Sequence, residues 1–215
     1  MACAPPLGAT VADAYAFRSI PLVSLADTFV EDRGRFRPGS LAARALTAVD
    51  RRALAFDMDV LAIRRDATQP DPNRLAFVRG PAALDEVLGR ADYLAITLAL
   101  AGDTRGLIGA RQLARMKSTA VLINVARGEV VDEDALYDAL HQGVIAGAAL
   151  DVWYRYPAGD APTHPGHRPF HTLPNVLMTP HVSGWTEGMM DARAGVIAEN
   201  IHRIARGEAP VNLIP

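Results

Sequence analysis

The stretch AVLINVARGEVVDEDALYDALHQGVIAGAALDV, residues 120–152, decides the fold of this chain. An apolar run, AVLINV, comes before the amphipathic segment DEDALYDALHQG, and a second apolar run, AGAALDV, closes the unit. Leu136, Ala139 and Leu140 share one face of the amphipathic segment. Asp132 is placed to cap its first turn. Two short apolar runs joined by a helix are typical of parallel strands with a crossover connection.

The same alternation continues on both sides of that stretch. Further strands are predicted for the apolar runs VLAI (60–63), YLAIT (93–97) and VLMT (176–179). Helices are predicted for residues 41–55, 82–90 and 109–116 and for a long segment after Thr186, whose apolar residues form one stripe: Met190, Ala194, Ile197, Ile201 and Ile204. The chain is therefore predicted to be an α/β protein with a parallel sheet and helices on its faces.

Composition narrows the classes of partner. The 215 residues include 22 basic and 24 acidic side chains, a net charge of -2, and no basic stripe suggests nucleic acid or an anionic membrane. No apolar run approaches the roughly 18 residues of a membrane helix. The single cysteine, Cys3, excludes an internal disulfide and any multi-cysteine metal site. We expect a cytoplasmic protein that binds small molecules or protein, without a metal.

Three polar residues follow predicted strands, at the edge where doubly wound sheets collect their ligands. These residues are Arg127, Asp151 and His181. A planar guanidinium such as that of Arg127 can hold the carboxylate and the carbonyl of a 2-keto acid together. A histidine such as His181 can protonate the carbonyl oxygen. Either residue alone is more simply a solvated strand-end arginine or a loop histidine, and their joint placement favours a site.

The segments NVARG, GAALDVW and LPNVLMTPHVSGWT closely resemble the D-isomer-specific 2-hydroxyacid dehydrogenases, and the resemblance covers residues 57–215. It implies a Rossmann-like domain and NAD(P)-dependent hydride transfer between a nicotinamide and a small 2-keto or 2-hydroxy acid. Arg127 would bind the carboxylate and His181 would act as acid and base. Asp151 would meet the nicotinamide carboxamide. The remaining residues implied along the cofactor are Val125, Ala126, Ser183 and Gly184.

The chain departs from the family pattern at the partner of the catalytic histidine. The family has a glutamate before a proline in the loop after the LDV strand, and here Tyr156 precedes Pro157. A neutral phenol can orient an imidazole through a hydrogen bond, but it cannot stabilise the imidazolium by charge. Asp160 and Glu187 are the nearest carboxylates in sequence that could substitute.

A second departure concerns the glycine-rich phosphate loop and the strand before it. The three glycine positions of GxGxxG fall on Leu41, Ala43 and Leu46, and the preceding DRGRFRPGS is charged and contains proline. The first strand and its loop are thus missing or replaced, which would leave a gap of roughly 10 Å in the sheet. Either IPLVSL, residues 20–25, fills the slot, or the domain is incomplete and needs a partner chain or does not fold stably.

Two arginines stand where an acidic residue usually accepts the ribose 2′-hydroxyl. Arg64 and Arg65 follow the VLAI strand, and paired arginines there suit a 2′-phosphate. They favour NADP over NAD as cofactor. The alternative is that both are solvated surface charges.

Three domain assignments follow: an unassigned segment 1–40, an incomplete NAD(P)-binding Rossmann domain 41–206 and a tail 207–215, whose final VNLIP is expected to be loose. The substrate domain of the family is not recognisable. His164, His167 and His171 indicate a flexible proline-rich loop more readily than a metal site. We expect a homodimeric oxidoreductase. A non-catalytic dinucleotide-binding or dimerisation module and an incomplete gene product without its own function remain alternatives.

Overall fold

The computed structural model describes residues 21–26, 49–65, 67, 68, 75, 77–159 and 163–211. The strands within this part of the chain are β1 Pro21–Ala26, β2 Asp59–Arg64, β3 Phe77–Arg79, β4 Tyr93–Ile96, β5 Val121–Asn124, β6 Gly147–Leu150 and β7 Val176–Met178. They form one sheet in the order β3-β2-β1-β4-β5-β6-β7, and every pair is parallel. The predicted Rossmann-like parallel sheet is confirmed.

Strand β1 lies inside the sheet, between β2 and β4. Leu22 pairs with Val60 of β2 on one side and with Tyr93 of β4 on the other. Pro21 is the first residue of the strand, where a proline is tolerated. The described part of the run IPLVSL, from Pro21 to Leu25, therefore fills the slot together with Ala26, and the predicted gap between β2 and β4 is not present; Ile20 lies outside the described residues. The three positions without glycine, 41, 43 and 46, lie outside the described residues.

Four of the five described helices lie between consecutive strands, as the crossover pattern predicts, and the fifth follows β7. We number them α1 (residues 49–55), α2 Leu84–Leu88, α3 Ala110–Leu113, α4 Glu133–His141 and α5 Met189–Ala205. The Asp132 side chain accepts a 2.8 Å hydrogen bond from the Ala135 amide, which confirms the predicted cap of α4. Leu136, Ala139 and Leu140 are buried, as predicted for its inner face. Strand β3 was not predicted, because its three residues follow a proline-rich loop.

The hydrophobic core lies around the central strands and does not include α5. Leu94 and Leu122, in β4 and β5, are fully buried. Helix α5 has no buried residue, and its predicted stripe faces solvent, with Ile197 60% and Ile201 61% exposed. Among the described residues, no helix has the length and apolar character that crossing a membrane requires.

The segment after α5 folds back onto the helix. The Asn200 side chain accepts a 2.7 Å hydrogen bond from the Val211 amide and donates one of 3.3 Å to the Val211 carbonyl. The Arg203 guanidinium donates to the Ala209 carbonyl at 2.7 Å. Of the predicted loose segment VNLIP, only Val211 is described, and it is hydrogen-bonded to Asn200; residues 212–215 lie outside the described part of the chain.

Candidate active site

The turn after β5 presents Arg127 to solvent. Asn124, the last residue of β5, is 1% exposed, and its side-chain oxygen accepts a 3.0 Å hydrogen bond from the Ala126 amide. Its side-chain nitrogen donates at 3.0 Å to the Arg127 carbonyl. The Arg127 guanidinium donates at 2.7 Å to the Ala126 carbonyl. Ala126 is buried, whereas Val125 and Arg127 are exposed at the carboxyl edge of the sheet.

The same turn touches the backbone that follows β6. A Cβ atom added to Gly128 would lie 2.5 Å from the carbonyl carbon and oxygen of Trp153, closer than real Cβ contacts. Any side chain at residue 128 would push the two loops apart. The glycine of the NVARG segment is therefore required by this close approach.

Asp151 fixes the loop after β7. The residue is 4% exposed, and one carboxylate oxygen accepts hydrogen bonds from the Thr179 hydroxyl at 2.5 Å and the Val182 amide at 2.9 Å. The other oxygen accepts from the Ser183 amide at 2.9 Å. Burial alone would raise the pKa of Asp151, but the hydrogen bonds from Ser183, Thr179 and Val182 outweigh it and hold the pKa below its usual value. The ionised carboxylate is thus the anchor of this loop.

His181 sits at the top of the loop that Asp151 anchors. Its φ of 58° is in the left-handed region, which residues other than glycine adopt rarely. The hydrogen bonds that Asp151 receives lie on both sides of it, from Thr179 and from Val182 and Ser183. The half-buried imidazole is therefore carried by a backbone that its neighbours hold in place.

Tyr156 contacts His181 through its ring. The two ring centroids are 5.5 Å apart with the planes tilted by 46°. The Tyr156 hydroxyl accepts a 3.0 Å hydrogen bond from the Trp153 amide, and no hydrogen bond among the described residues joins the hydroxyl to the imidazole. The predicted orientation of His181 by a phenol hydrogen bond is therefore replaced by ring packing.

The two carboxylates that could replace the family glutamate do not supply a described partner. Glu187 is exposed, and within the described residues no ion pair joins it to His181. Asp160 lies outside the described residues. Trp153 also holds the loop after β7, because its indole N–H donates a 2.9 Å hydrogen bond to the Thr179 carbonyl.

The structure separates the two arginines at the end of β2. Arg64 is 2% exposed, so it is not the solvated surface charge that one alternative predicts. The Arg65 side chain is 54% exposed and lies 3.2 Å from a carboxylate oxygen of Asp103, a residue of the loop after β4. Arg65 is therefore the arginine that reaches solvent, and the two do not form a surface pair.

The proline- and histidine-rich loop is anchored on α4. Both ring nitrogens of His167 meet carboxylates, Glu133 at 2.8 Å and Asp134 at 2.9 Å. The hydrogen bond with Asp134, helped by the charge of Glu133, raises the pKa of His167. Glu133 also accepts from the Arg168 amide at 2.8 Å. Burial and the neighbouring Glu133 carboxylate raise the pKa of Tyr154, at the start of this loop, well above its usual range.

The three histidines of that loop do not converge on one point. His164 and His171 stack with ring centroids 6.2 Å apart, and His167 binds its own two carboxylates. In the part of the chain that the structure describes, no group of three or more His, Cys, Asp or Glu side chains could hold a metal ion. The predicted flexible loop is instead a segment tied to α4.

Four residues that shape the site were not foreseen from the sequence: Asn124, Gly128, Trp153 and Thr179. A buried amide ending an otherwise apolar strand is the one signal that could have indicated Asn124. The roles of Gly128 and Trp153 depend on two loops meeting in space. Sequence separation hides such contacts.

Known proteins resemble this chain over most of its length. Residues 44–183 match the sequence model of the family described as D-isomer specific 2-hydroxyacid dehydrogenase, NAD binding domain. A glyoxylate reductase of Korarchaeum cryptofilum is 38% identical over 170 residues, which cover 78% of this chain and 48% of that protein. The chain therefore spans about half the length of this curated relative.

Two solved structures share the fold. A D-isomer specific 2-hydroxyacid dehydrogenase from Xanthobacter autotrophicus, in complex with NADPH and MES, is 31% identical with a TM-score of 0.66, covering 91% of this chain and 54% of that one. Another, from Lactobacillus delbrueckii ssp. bulgaricus in its NAD complexed form, is 30% identical with a TM-score of 0.70, covering 90% of this chain and 55% of that one.

Proposed function

Because this chain belongs to the D-isomer specific 2-hydroxyacid dehydrogenase family, we propose that it transfers hydride between a nicotinamide dinucleotide and a small 2-keto or 2-hydroxy acid. One observation carries the proposal. Arg127 and His181 stand on separately fixed loops beyond β5 and β7, with only β6 between them. Two strand spacings put those strand ends about 10 Å apart, a distance that two long side chains and a small keto acid can bridge.

The reaction divides between these two residues. Arg127 binds the carboxylate of the substrate and orients its carbonyl, because a guanidinium offers several N–H donors in one plane. His181 donates a proton to the carbonyl oxygen during reduction and accepts it during oxidation. Asp151 and the ring of Tyr156 keep the imidazole in place. A bound nicotinamide supplies or takes up the hydride.

The residues beside Arg127 and His181 fit the nicotinamide half of a dinucleotide. Val125, Ser183 and Gly184 are exposed at the carboxyl edge, and a Cβ atom built on Gly184 meets nothing within 4 Å. Open space beside exposed backbone suits a flat ring. We assign these residues, with buried Ala126 beneath them, to the nicotinamide half, and we place its carboxamide beside Asp151.

We further propose NADP in preference to NAD. The support is Arg65, which reaches solvent at the end of β2, where a 2′-phosphate would lie. Buried Arg64 would add positive charge beneath it. Dissociation constants for NADPH and NADH, measured by tryptophan fluorescence at several salt concentrations, test this. Tighter binding of NADH would overturn it.

Turnover tests the reaction itself. The purified chain is titrated with each dinucleotide and then assayed with glyoxylate and hydroxypyruvate. His181→Gln is expected to lower turnover by about a hundredfold or more, the usual contribution of a general acid. Arg111→Ala, which removes an exposed helix arginine paired with Asp85, is the matched control and should leave turnover unchanged. No dinucleotide binding at millimolar concentration would contradict the proposal.

A homodimer is proposed on the strength of the α5 stripe. The apolar residues recur at alternating intervals of four and three, the spacing of a helix–helix seam, and they face solvent: Met190, Ala194, Ile197, Ile201 and Ile204. Ile201→Glu should shift the sedimentation coefficient to that of a monomer. The control His202→Glu changes the neighbouring exposed residue outside the stripe. A wild-type monomer at high concentration would overturn the proposal.

The stripe also favours a second candidate function, a non-catalytic dinucleotide-binding or dimerisation module. In that case the chain binds a dinucleotide and dimerises but turns over no keto acid.

We place the dinucleotide-binding domain at residues 41–206 together with β1, the tail at 207–215, and the protein in the cytoplasm. Small 2-keto acids are its proposed ligands, in preference to nucleic acid or membrane.

A further inference from the structure

The buried side-chain amide of Asn124 holds the turn that carries Arg127. It bridges two backbone groups of one turn, accepting from the Ala126 amide and donating to the Arg127 carbonyl, both at 3.0 Å. It is 1% exposed, so water does not compete for either bond. Its backbone carbonyl also accepts from the Asp151 amide at 3.1 Å, which ties the turn to the other site loop.

The turn needs one acceptor and one donor at fixed positions. A carboxamide supplies both from one rigid plane, whereas a carboxylate has no donor and an alkyl side chain has neither. An aspartate here would set an oxygen against the Arg127 carbonyl oxygen. An alanine would leave the buried Ala126 amide without its side-chain acceptor, and the Arg127 carbonyl with only the 3.3 Å hydrogen bond from the Val130 amide.

The backbone of this turn fixes the point from which the Arg127 side chain extends. The Arg127 guanidinium donates to the Ala126 carbonyl at 2.7 Å, and this carbonyl belongs to the peptide that lies between the two peptides bound by Asn124. The remaining N–H groups are left for a ligand. A cation held in this way loses less conformational freedom on binding than a freely rotating one.

We propose that Asn124 is a positioning residue that sets the Arg127 guanidinium for the carboxylate of the substrate. The inference rests on the proposed function of Arg127. Asn124 touches neither substrate nor cofactor and acts through the turn.

The test measures anion binding, which does not require turnover. Sodium oxalate, a planar dicarboxylate of keto-acid size, is titrated into the full chain by isothermal calorimetry in the presence of NADPH. Asn124→Ala should weaken oxalate by about tenfold, and Arg127→Ala should weaken it at least as much. Asn200→Ala is the matched control, because Asn200 makes the same pair of amide-to-backbone bonds, to Val211, away from the site.

A double variant separates positioning from general destabilisation. If Asn124 acts through Arg127, then Asn124→Ala adds no further loss in the Arg127→Ala background. Should Asn124→Ala fail to fold, as judged by near-ultraviolet circular dichroism, Asn124→Ser replaces it, because its hydroxyl is too short to make both bonds. Where the chain turns over hydroxypyruvate, KM should rise more than kcat falls.

The outcomes distinguish this inference from the proposed function. Loss of oxalate binding in Arg127→Ala with unchanged binding in Asn124→Ala overturns the inference and leaves the function standing. Equal losses in Asn124→Ala and Asn200→Ala also overturn it, because they report a structural effect only. If the wild type binds no oxalate, or if Arg127→Ala binds oxalate as tightly as the wild type, the proposed function of Arg127 fails and the inference fails with it.

Discussion

The two ends of the carboxyl edge of this sheet are held together in different ways. Beyond β5 and β6, the loops are fixed by buried polar groups, the Asn124 amide and the Asp151 carboxylate. Beyond β4, the buried Thr104 hydroxyl supports its own loop, but the ion pair of Arg65 with Asp103, which joins that loop to the end of β2, has side chains that are 54% and 67% exposed. Buried bonds fix geometry, whereas an exposed ion pair contributes little and yields to salt.

This difference matches the chemistry proposed at each end. Proton and hydride transfer depend on positions accurate to fractions of an ångström, so the loops of Arg127 and His181 need rigid supports. Recognition of a ribose or its phosphate tolerates adjustment, and an exposed arginine such as Arg65 suits it. Substitutions matched across the two ends test whether buried hydrogen bonds hold their loops more strongly than the exposed ion pair does.

The largest effect is expected at Gly128. Gly128→Ala would place a Cβ atom 2.5 Å from the Trp153 backbone, and the two site loops would have to separate. We expect a loss of about 3 kcal/mol in the free energy of unfolding, measured by urea denaturation. Gly102→Ala, at the other end of the edge where a Cβ meets nothing within 4 Å, should change stability little. Equal losses of stability in the two variants would show that the close approach at Gly128 is not what holds the site loops together.

A smaller effect is expected from neutralising the two carboxylates. Asp151→Asn turns an amide nitrogen toward donors that now reach a carboxylate, and it should lower stability by about 2 kcal/mol. Asp103→Asn removes only an exposed ion pair and should cost less than about 1 kcal/mol. Thermal unfolding of both variants at two salt concentrations measures the difference. A larger loss for Asp103→Asn would reverse the comparison.

Acid should weaken the support that the Asp151 carboxylate gives to the loop after β7. The pKa of folded Asp151 lies below its ordinary value of 3.8, so its ionised form contributes stability above that value. The contribution is lost as the pH falls through the depressed folded pKa. The wild type should therefore lose stability between pH 5 and strongly acidic pH more steeply than Asp151→Asn. Parallel slopes for the two proteins would show that the carboxylate does not carry this dependence.

The smallest effect is expected at an exposed contact. His167 has a raised pKa, so its ion pairs with Glu133 and Asp134 contribute stability below the ordinary value of 6.5 and lose it as the pH rises through the raised folded pKa. His167→Gln should flatten this dependence, and added salt should weaken it in the wild type. The control is His202→Gln, on exposed helix α5. A nuclear magnetic resonance titration of the His167 ring giving a pKa at or below 6.5 would contradict the prediction.

Most of the sheet could be predicted because its strands are short apolar runs bounded by polar turns. Strand β1 remained open between strand and coil, since a six-residue apolar run does not specify its neighbours, and the vacancy between β2 and β4 resolved it. Arg64 and Arg65 could not be told apart in one dimension. Successive side chains of a strand point to opposite faces, and only the fold shows that Arg64 is buried.

The placement of Arg127 and His181 at one edge of the sheet could be predicted from the sequence, but the side chains that hold their loops could not. Arg127 and His181 follow strands, so topology alone brings them to one edge. Asn124 acts on backbone groups of its own turn, so its one signal in the sequence is an amide within an apolar run. Asp151 acts on a loop 28 or more residues away, and no sequence pattern marks that role. Helix α5 shows the converse, because its stripe was predicted correctly while its exposure in the single chain was not.

The left-handed backbone of His181 sets folding against chemistry at one position. A residue with a Cβ atom holds φ of 58° at a cost of roughly 1–2 kcal/mol, and glycine adopts it freely, giving back about 0.5–1 kcal/mol in chain entropy. His181→Gly would relieve this backbone strain, but it would lose the ring contact with Tyr156 and the proposed proton donor. Backbone stability alone therefore does not explain a histidine at this position.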